Sequence, residues 1–149
     1  MMNLTKNFTL KEMYESTTAI RLGIDNTPSD IVIKNLLLLC QKVLQPLREQ
    51  MDESIKVSSG YRCPELNKII GGSKSSQHCF GQAADISCGE RTAEMYKYIK
   101  NNLIFDQIIW EFGTDENPSW VHVSFSPTKN RKDCLRAYKI NGKTVYQHI

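Results

Sequence analysis

Apolar residues recur at helical spacing in two long stretches of the chain. The first begins at Thr27-Pro28, because threonine is a preferred N-cap and proline suits the first helical position, and it is predicted to end near Met51. Pro46 lies late in this stretch and is expected to kink or shorten the helix. The second stretch covers residues 92–102, and a shorter helix is predicted to open at Pro64.

Six further stretches are predicted as strands, and the turn between the last two is Asn141-Gly142, a strong hairpin signal. Residues 1–26 are predicted as an irregular lead-in that contains one short helix, capped by Thr9 and Glu12. We therefore expect one α+β domain over residues 1–149, in which helices flank an antiparallel sheet. The strands are predicted at residues 55–59, 83–87, 105–112, 120–125, 134–140 and 143–147.

Composition and charge fit an ordinary globular domain. The 149 residues are 40% hydrophobic and 23% charged, and the net charge of +3 contains no block that would predict a nucleic-acid partner. The longest apolar run, residues 36–40, is too short to span a membrane. The first eight residues lack the apolar segment of a secretory signal, so we expect synthesis in the cytoplasm.

The five cysteines are an odd number, and no two of them form a C-x-x-C pair. This pattern argues against a disulfide framework and against a zinc site built from thiolates alone. Cys79 directly follows a histidine and is kept as an alternative soft ligand. The cysteines are Cys40, Cys63, Cys79, Cys88 and Cys134.

Two histidines and one aspartate are placed as a candidate metal site. His78 and Asp85 stand seven positions apart, with Gly81 between them to let the chain turn. His122 lies in the strand predicted at 120–125, where the apolar residues alternate to the opposite, core-facing side. Two imidazoles and one carboxylate suit a catalytic zinc with one coordination position open for water. Non-haem iron uses the same ligand types and is the alternative. The third histidine, His148, is predicted at the surface.

The segments that carry these residues resemble a known family. The pattern Ser76-x-His78-x-x-Gly81-x-Ala83-x-Asp85, followed by Trp120-Val121-His122-Val123, resembles zinc D-Ala-D-Ala carboxypeptidases and L-alanyl-D-glutamate endopeptidases of peptidoglycan. Ser59-Gly60-Tyr61-Arg62 is similar to another segment of that family. The resemblance covers roughly residues 57–126. It implies a fold of the hedgehog/DD-peptidase type and a Zn²⁺ ion held by His78, Asp85 and His122.

The resemblance also implies residues that act on the substrate. Arg62 would contact the carbonyl or carboxylate near the cleaved bond, where a planar guanidinium can stabilise an oxyanion. It is therefore assigned to both catalysis and substrate binding. Ser76 belongs to the motif of His78, and Trp120 belongs to the motif of His122. Both residues are predicted to bind substrate.

The residue at the position where the family has its general base departs from the family pattern. Family members commonly carry a carboxylate three residues before the last zinc histidine, and that position here is Ser119. Glu111 is predicted to act as the base, because it ends a strand expected to pair with the strand of His122. Asp115 and Glu116, in the following loop, are the alternatives.

The candidate metal site and the family resemblance together imply a zinc metallopeptidase that cleaves peptidoglycan stem peptides, with a phage or prophage lysis enzyme as its setting. Such an enzyme would reach the cell wall after release by lysis, or it would be carried in a virion. Both the D-Ala-D-Ala and the L-Ala-D-Glu bond are open as the target. Because Ser119 replaces the usual carboxylate, a non-catalytic zinc module that binds the cell wall or builds a virion remains the alternative.

Overall fold

A mixed sheet of six strands frames the molecule in the computed structural model, which describes residues 2–149. Its strand order is β1-β2-β4-β3-β5-β6. All neighbouring pairs are antiparallel except β3 and β5, which run parallel. The α+β prediction is confirmed, with this parallel pair as an exception to the antiparallel arrangement. The strands are β1 (Lys56–Ser59), β2 (Ala83–Ser87), β3 (Gln107–Glu111), β4 (Trp120–Ser124), β5 (Asp133–Ile140) and β6 (Lys143–His148).

The parallel pair follows from the order in which the sheet edges are filled. One edge of β4 pairs with β2 and the other with β3, so the chain that leaves β4 finds no free edge there. It crosses to the far side of β3, where Asp133 donates its N–H to the carbonyl of Asp106 at 2.9 Å. β5 therefore starts beside the start of β3 and runs in the same direction.

Most of the helices pack against one face of this sheet, and all of them precede or connect its strands. The bounds of α6 and of β2 match the predicted residues, and Pro64 opens α5 as expected. The lead-in holds the capping box predicted for Thr9 and Glu12. It also holds a second short helix, α2, which the sequence pattern did not predict. The helices are α1 (Leu10–Tyr14), α2 (Thr17–Leu22), α3 (Asp30–Leu39), α4 (Gln45–Met51), α5 (Pro64–Ile70) and α6 (Thr92–Asn102).

The start predicted for the first long helix was wrong by two residues. Its N-cap is Ser29 and its first helical residue is Asp30, rather than Thr27 and Pro28. The N–H of Thr27 instead donates to the Asp25 carboxylate at 3.0 Å, which holds this segment in a turn ahead of the helix.

Pro46 marks a real irregularity, but the change of geometry comes just before it. Residues Cys40–Leu44 form a π-helical turn, and the N–H of Gln45 donates to the carbonyl of Cys40 five residues earlier. Pro46 then lies in the first turn of α4, where its missing N–H leaves no gap in the hydrogen bonds. The wider turn gives the chain a way to pass the proline ring without ending the helix.

The main core lies between the helices and one face of the sheet. Val121 and Val123 are fully buried there, and Phe125 packs against them half-buried, as the alternation predicted. Phe8 and Met13 of the lead-in belong to the same core. No helix within residues 2–149 is both long and apolar enough to cross a membrane.

The last two strands form the predicted hairpin. Asn141 and Gly142 both have positive φ, 51° and 78°, the backbone that a tight turn between antiparallel strands requires. β5 and β6 therefore extend the sheet beyond β3 on the side away from β2. All five cysteines are free thiols in the part of the chain that the structure describes.

Candidate metal centre and active site

The turn that carries His78 is built by its neighbours in sequence. Residues Gln77–Phe80 form a short 3₁₀ helix, and the Ser76 hydroxyl caps it by accepting the N–H of His78 at 3.2 Å. Gly81 ends the turn at φ 72°. A Cβ at this position would lie 2.7 Å from the Val32 carbonyl oxygen, so the close approach to α3 also requires glycine. The chain then reverses directly into β2.

Asp85 and His122 face each other across the β2–β4 pair and point away from the main core. Asp85 Oδ1 lies 3.1 Å from His122 Nδ1 and 3.3 Å from His78 Nε2. Ligand atoms of the three side chains all lie within 4.8 Å of one another. The structure therefore brings the three predicted metal ligands together at one point.

The second nitrogen of His78 fixes the orientation of its ring. Nδ1 lies 2.7 Å from the carbonyl oxygen of Gly60, so Nδ1 carries the proton and donates it, and Nε2 is left with its lone pair toward Asp85. Burial lowers the pKa of His78 and outweighs the opposing effect of Asp85. A neutral imidazole held in this way is ready to bind a metal ion.

Asp85 stays ionised although its carboxylate is largely shielded from solvent. Burial alone would raise its pKa, but the hydrogen bond from His122 and the neighbouring imidazole of His78 hold the pKa well below its usual range. One anionic and two neutral donors fit a divalent transition metal such as Zn²⁺. Cys79, kept as an alternative ligand, is not a member of this group, and burial raises the pKa of its thiol.

Arg62 is fixed beside the ligands by three contacts. Nε donates to Ser59 Oγ and Nη1 to Asn67 Oδ1, both at 3.1 Å, while Nη2 lies 3.7 Å from Asp85 Oδ2. Asn67 is buried and also donates to the Ser73 carbonyl at 2.8 Å. A Cβ at Gly72 would lie 2.1 Å from the Asn67 side-chain oxygen, so this glycine is needed for the arrangement.

Glu111 lies at the end of β3, directly opposite Trp120 on β4, and both line the same cleft as the three ligands. The side chain is only 8% exposed. Burial raises the pKa of Glu111 to about 7, with a smaller rise from Asp85 and an opposing effect of His122. The Trp120 ring packs edge-on against Phe112 with 5.5 Å between ring centres.

The other two candidates for the base lie outside this cleft. Asp115 is exposed and pairs with Arg136 at 2.6 Å. Glu116 is exposed in the same loop. Ser119, the position at which the family carries its carboxylate, is also exposed, and its N–H donates to the Glu111 carbonyl at 2.9 Å. His148 is exposed, as predicted, and contacts Asp133 at 3.0 Å.

The cleft has a volume of about 790 Å³ and an open mouth. Its lining includes Arg62, Ser76, Glu111 and Trp120. The geometry thus places one metal-binding group, one guanidinium and one buried carboxylate around a space that can hold an extended peptide.

Comparison with known families decides which class of protein this is. The family model described as peptidase M15 matches residues 6–124, four-fifths of the chain. The chain belongs to the peptidase M15 family. The match includes all three candidate ligands, Arg62 and Glu111. It ends at β4, so residues 125–149 of this M15 family member lie beyond it.

A curated relative agrees with this assignment. The zinc D-Ala-D-Ala carboxypeptidase of Streptomyces albus G is 39% identical over 49 residues, which make up 32% of this chain and 19% of the relative. The chain therefore aligns with only about a fifth of that protein's length. The metal in the relative's name is the cofactor that the ligand pattern predicts here.

Sequence reasoning missed a polar network that anchors the His78 turn in this M15 family member. Gln77, which precedes the ligand, donates to the buried Asp106 carboxylate at 3.1 Å. Arg131 binds both oxygens of Asp106, at 3.0 and 2.9 Å. Burial raises the pKa of Asp106, but the Arg131 hydrogen bonds outweigh it and leave the pKa lowered. No local pattern could reveal this network, because its three members stand at least 25 positions apart in the sequence.

Ser59 and Asn67 lie close to Arg62 in the sequence, but only the structure shows that both of them contact its guanidinium. They accept hydrogen bonds from Nε and Nη1 of the guanidinium. An asparagine five residues after an arginine, within the short helix that Pro64 opens, is the signal that could have suggested this contact.

Proposed function

We propose that the chain is a zinc-dependent peptidase that hydrolyses peptide bonds in peptidoglycan stem peptides. One observation carries the proposal: the His78-Asp85-His122 group, Arg62 and Glu111 converge on one cleft of a chain that belongs to the peptidase M15 family. The name of the relative, zinc D-Ala-D-Ala carboxypeptidase, supports both the metal and the substrate class.

His78, Asp85 and His122 would hold the zinc ion. His78 would bind through Nε2, since its Nδ1 proton is committed to Gly60. When bound, zinc supplies a Lewis acid that polarises a carbonyl and brings the pKa of water close to neutrality. Two imidazoles and one carboxylate are a ligand set found in catalytic zinc sites, which keep one coordination position open.

Glu111 is the proposed general base. It stands on a sheet strand, so its position is rigid, and it is the carboxylate of the three candidates that faces the cleft. In its ionised form it would accept a proton from the attacking water and deliver it to the amine of the leaving group. Glu111 would thereby replace the carboxylate that the family commonly carries at the position of Ser119.

Arg62 would stabilise the negative charge that develops on the carbonyl oxygen. Its Nε and Nη1 are occupied by Ser59 and Asn67, so Nη2, the nitrogen nearest to Asp85, is the one left for the substrate. A donor held in advance at this point needs no reorganisation during the reaction. Ser76 and Trp120 also line the cleft and are proposed to bind the peptide.

A lysis role for a phage or prophage is the setting we propose for this activity. Cleavage of stem peptides weakens the cell wall, and the enzyme would act on the wall after release by lysis or as part of a virion. A second function, a zinc module that binds the wall without cutting it, is favoured by one observation, the serine at position 119.

Digestion of purified peptidoglycan tests the proposal. The zinc-loaded protein is incubated with it, with and without a chelator, and the released fragments are identified by mass spectrometry. We expect release that the chelator abolishes, and the new termini will identify the bond. If protein that holds one zinc ion binds peptidoglycan but releases nothing, the peptidase proposal is wrong and the binding module is favoured.

A further inference from the structure

We propose that the C-terminal hairpin forms a binding subsite for a carboxylate of the substrate, with Lys139 as the cation and Tyr146 as a neighbouring contact to the bound peptide. The inference rests on the proposed peptidase function and adds a specificity element to it. The hairpin, β5 and β6, lies outside the residues that the family model matches.

The hairpin continues the face of the sheet that carries the metal ligands. In one row across the sheet, Trp120 stands opposite Glu111, Glu111 opposite Ala137, and Ala137 opposite Tyr146. Because side chains alternate along a strand, Lys139 and Thr144 point to the same side as Ala137 and Tyr146. Lys139, Thr144 and Tyr146 line the same cleft as the His-Asp-His group.

Ala137 lies between Tyr146 and Glu111 in this row and leaves the space between them open. It is fully buried and has the smallest side chain of this row, so no bulky group separates the tyrosine from Glu111. Partial burial raises the pKa of Tyr146, and the nearby carboxylates of Glu111 and Asp85 raise it further. The phenol therefore lies within electrostatic reach of both acidic groups, and the residue, which lines the cleft, is 54% exposed to solvent.

Lys139 offers a charge that the protein itself does not neutralise. Within residues 2–149 it forms no salt bridge, and its Nζ donates to Thr144 Oγ1 at 3.1 Å and lies 5.5 Å from the centre of the Phe112 ring. These contacts hold the ammonium group at the cleft wall. Arg131 also lines the cleft, but Asp106 already pairs with it. Lys139 is therefore the cation of this wall that is available to an anionic ligand.

The spacing fits an extended peptide. Tyr146 stands two strands from Glu111, roughly 10 Å across the sheet, and Lys139 stands two residues further along β5 than the partner of Glu111, roughly 7 Å. An extended peptide advances about 3.4 Å per residue. Counted from the backbone of Glu111, the subsite therefore lies two or three residues of extended peptide away.

The test compares acid and amide forms of one stem peptide. Wild type, Lys139→Met and Tyr146→Phe are loaded with zinc and given a pentapeptide stem with free D-glutamyl and C-terminal carboxylates, and two analogues in which one carboxylate is an amide. We expect Lys139→Met to lower kcat/KM roughly tenfold for peptides whose recognised carboxylate is free, with little change for the matching amide. Tyr146→Phe should lower kcat/KM for all three peptides roughly fivefold.

The hairpin supplies matched controls on its opposite face. Lys143→Met removes the same charge, and Tyr138→Phe removes the same hydroxyl, but neither side chain lines the cleft. Both variants should keep wild-type kcat/KM. A Lys139→Met effect below twofold, or one of equal size on acids and amides, would overturn the subsite and leave the peptidase function standing.

Binding separates failure of the subsite from failure of the proposed function. Equilibrium dialysis of the zinc-loaded proteins with the acid and amide peptides measures the same preference without turnover. If wild type binds the acid peptide more tightly than the amide, and Lys139→Met loses this preference, the subsite stands even where nothing is cleaved. If wild type neither binds nor cleaves, both proposals are wrong.

Discussion

Two shielded carboxylates of the cleft, Asp85 and Glu111, lie on the strands that flank β4, yet their surroundings shift their pKa values in opposite directions. Asp85 is touched by His78 and His122 and has Arg62 nearby, and its pKa is lowered although burial opposes this. Glu111 is also shielded from solvent, but within residues 2–149 no side-chain hydrogen bond reaches it, and burial raises its pKa to about 7. Polar partners, rather than depth, decide which carboxylate is charged.

This difference assigns two tasks to two residues of the same chemistry. A metal ligand has to be an anion at all times, and Asp85 is held in that state. A general base has to take up and release a proton near neutral pH, and the environment of Glu111 favours such exchange. Substitutions that remove one carboxylate at a time should therefore have distinct effects.

The largest effect is expected when the anionic ligand is lost. Asp85→Asn keeps the shape of the side chain but removes its charge, so zinc affinity should fall by at least about 100-fold and activity should fall with it. Competition with a chromophoric chelator measures the affinity. Asp115→Asn, an exposed position outside the cleft, is the control. Zinc affinity within threefold of wild type in Asp85→Asn would contradict the ligand assignment.

Loss of the proposed base should leave the metal in place. Glu111→Gln is expected to lower kcat by about 10²- to 10⁴-fold, the usual contribution of general acid–base catalysis, with unchanged zinc affinity. Turnover of a stem peptide and zinc content are measured on the same sample. Glu116→Gln is the control and should retain activity. Full activity in Glu111→Gln would move the base to another residue.

The smallest effect concerns stability of the metal-free protein. The ordinary pKa of a glutamate is 4.5, and burial raises that of Glu111 to about 7 in the folded chain. The contribution of Glu111 to the free energy of unfolding is therefore complete below pH 4.5 and is lost as the pH rises through 7. The loss is at most roughly 3 kcal/mol. The lowered pKa of Asp85 acts in the opposite direction, since its contribution is lost as the pH falls.

Urea unfolding of wild type and Glu111→Gln in the presence of a chelator isolates the first contribution. Asp85 is common to both proteins and cancels in the difference. Between about pH 4 and about pH 8, wild type should lose up to roughly 3 kcal/mol relative to the variant. A difference that does not change with pH would show that Glu111 has an ordinary pKa in the folded protein.

Local patterns determined much of the fold. The bounds of β2 and α6, the core-facing side of β4 and the turn at Asn141-Gly142 follow from side-chain periodicity and turn chemistry, which act over a few residues. The same alternation predicted that His122 points away from the core. The spacing of the metal-ligand motif therefore identified the three side chains that meet in the structure.

Tertiary structure decided what depends on distant partners. The parallel β3–β5 pair exists because both edges of β4 are already occupied, and the Gln77–Asp106–Arg131 network joins three separate segments. The choice of Glu111 over two loop carboxylates, and the cleft wall formed by the C-terminal hairpin, depend on burial and on which strands become neighbours. Neither burial nor strand order is written in any short stretch of sequence, since both are set only when the whole chain packs.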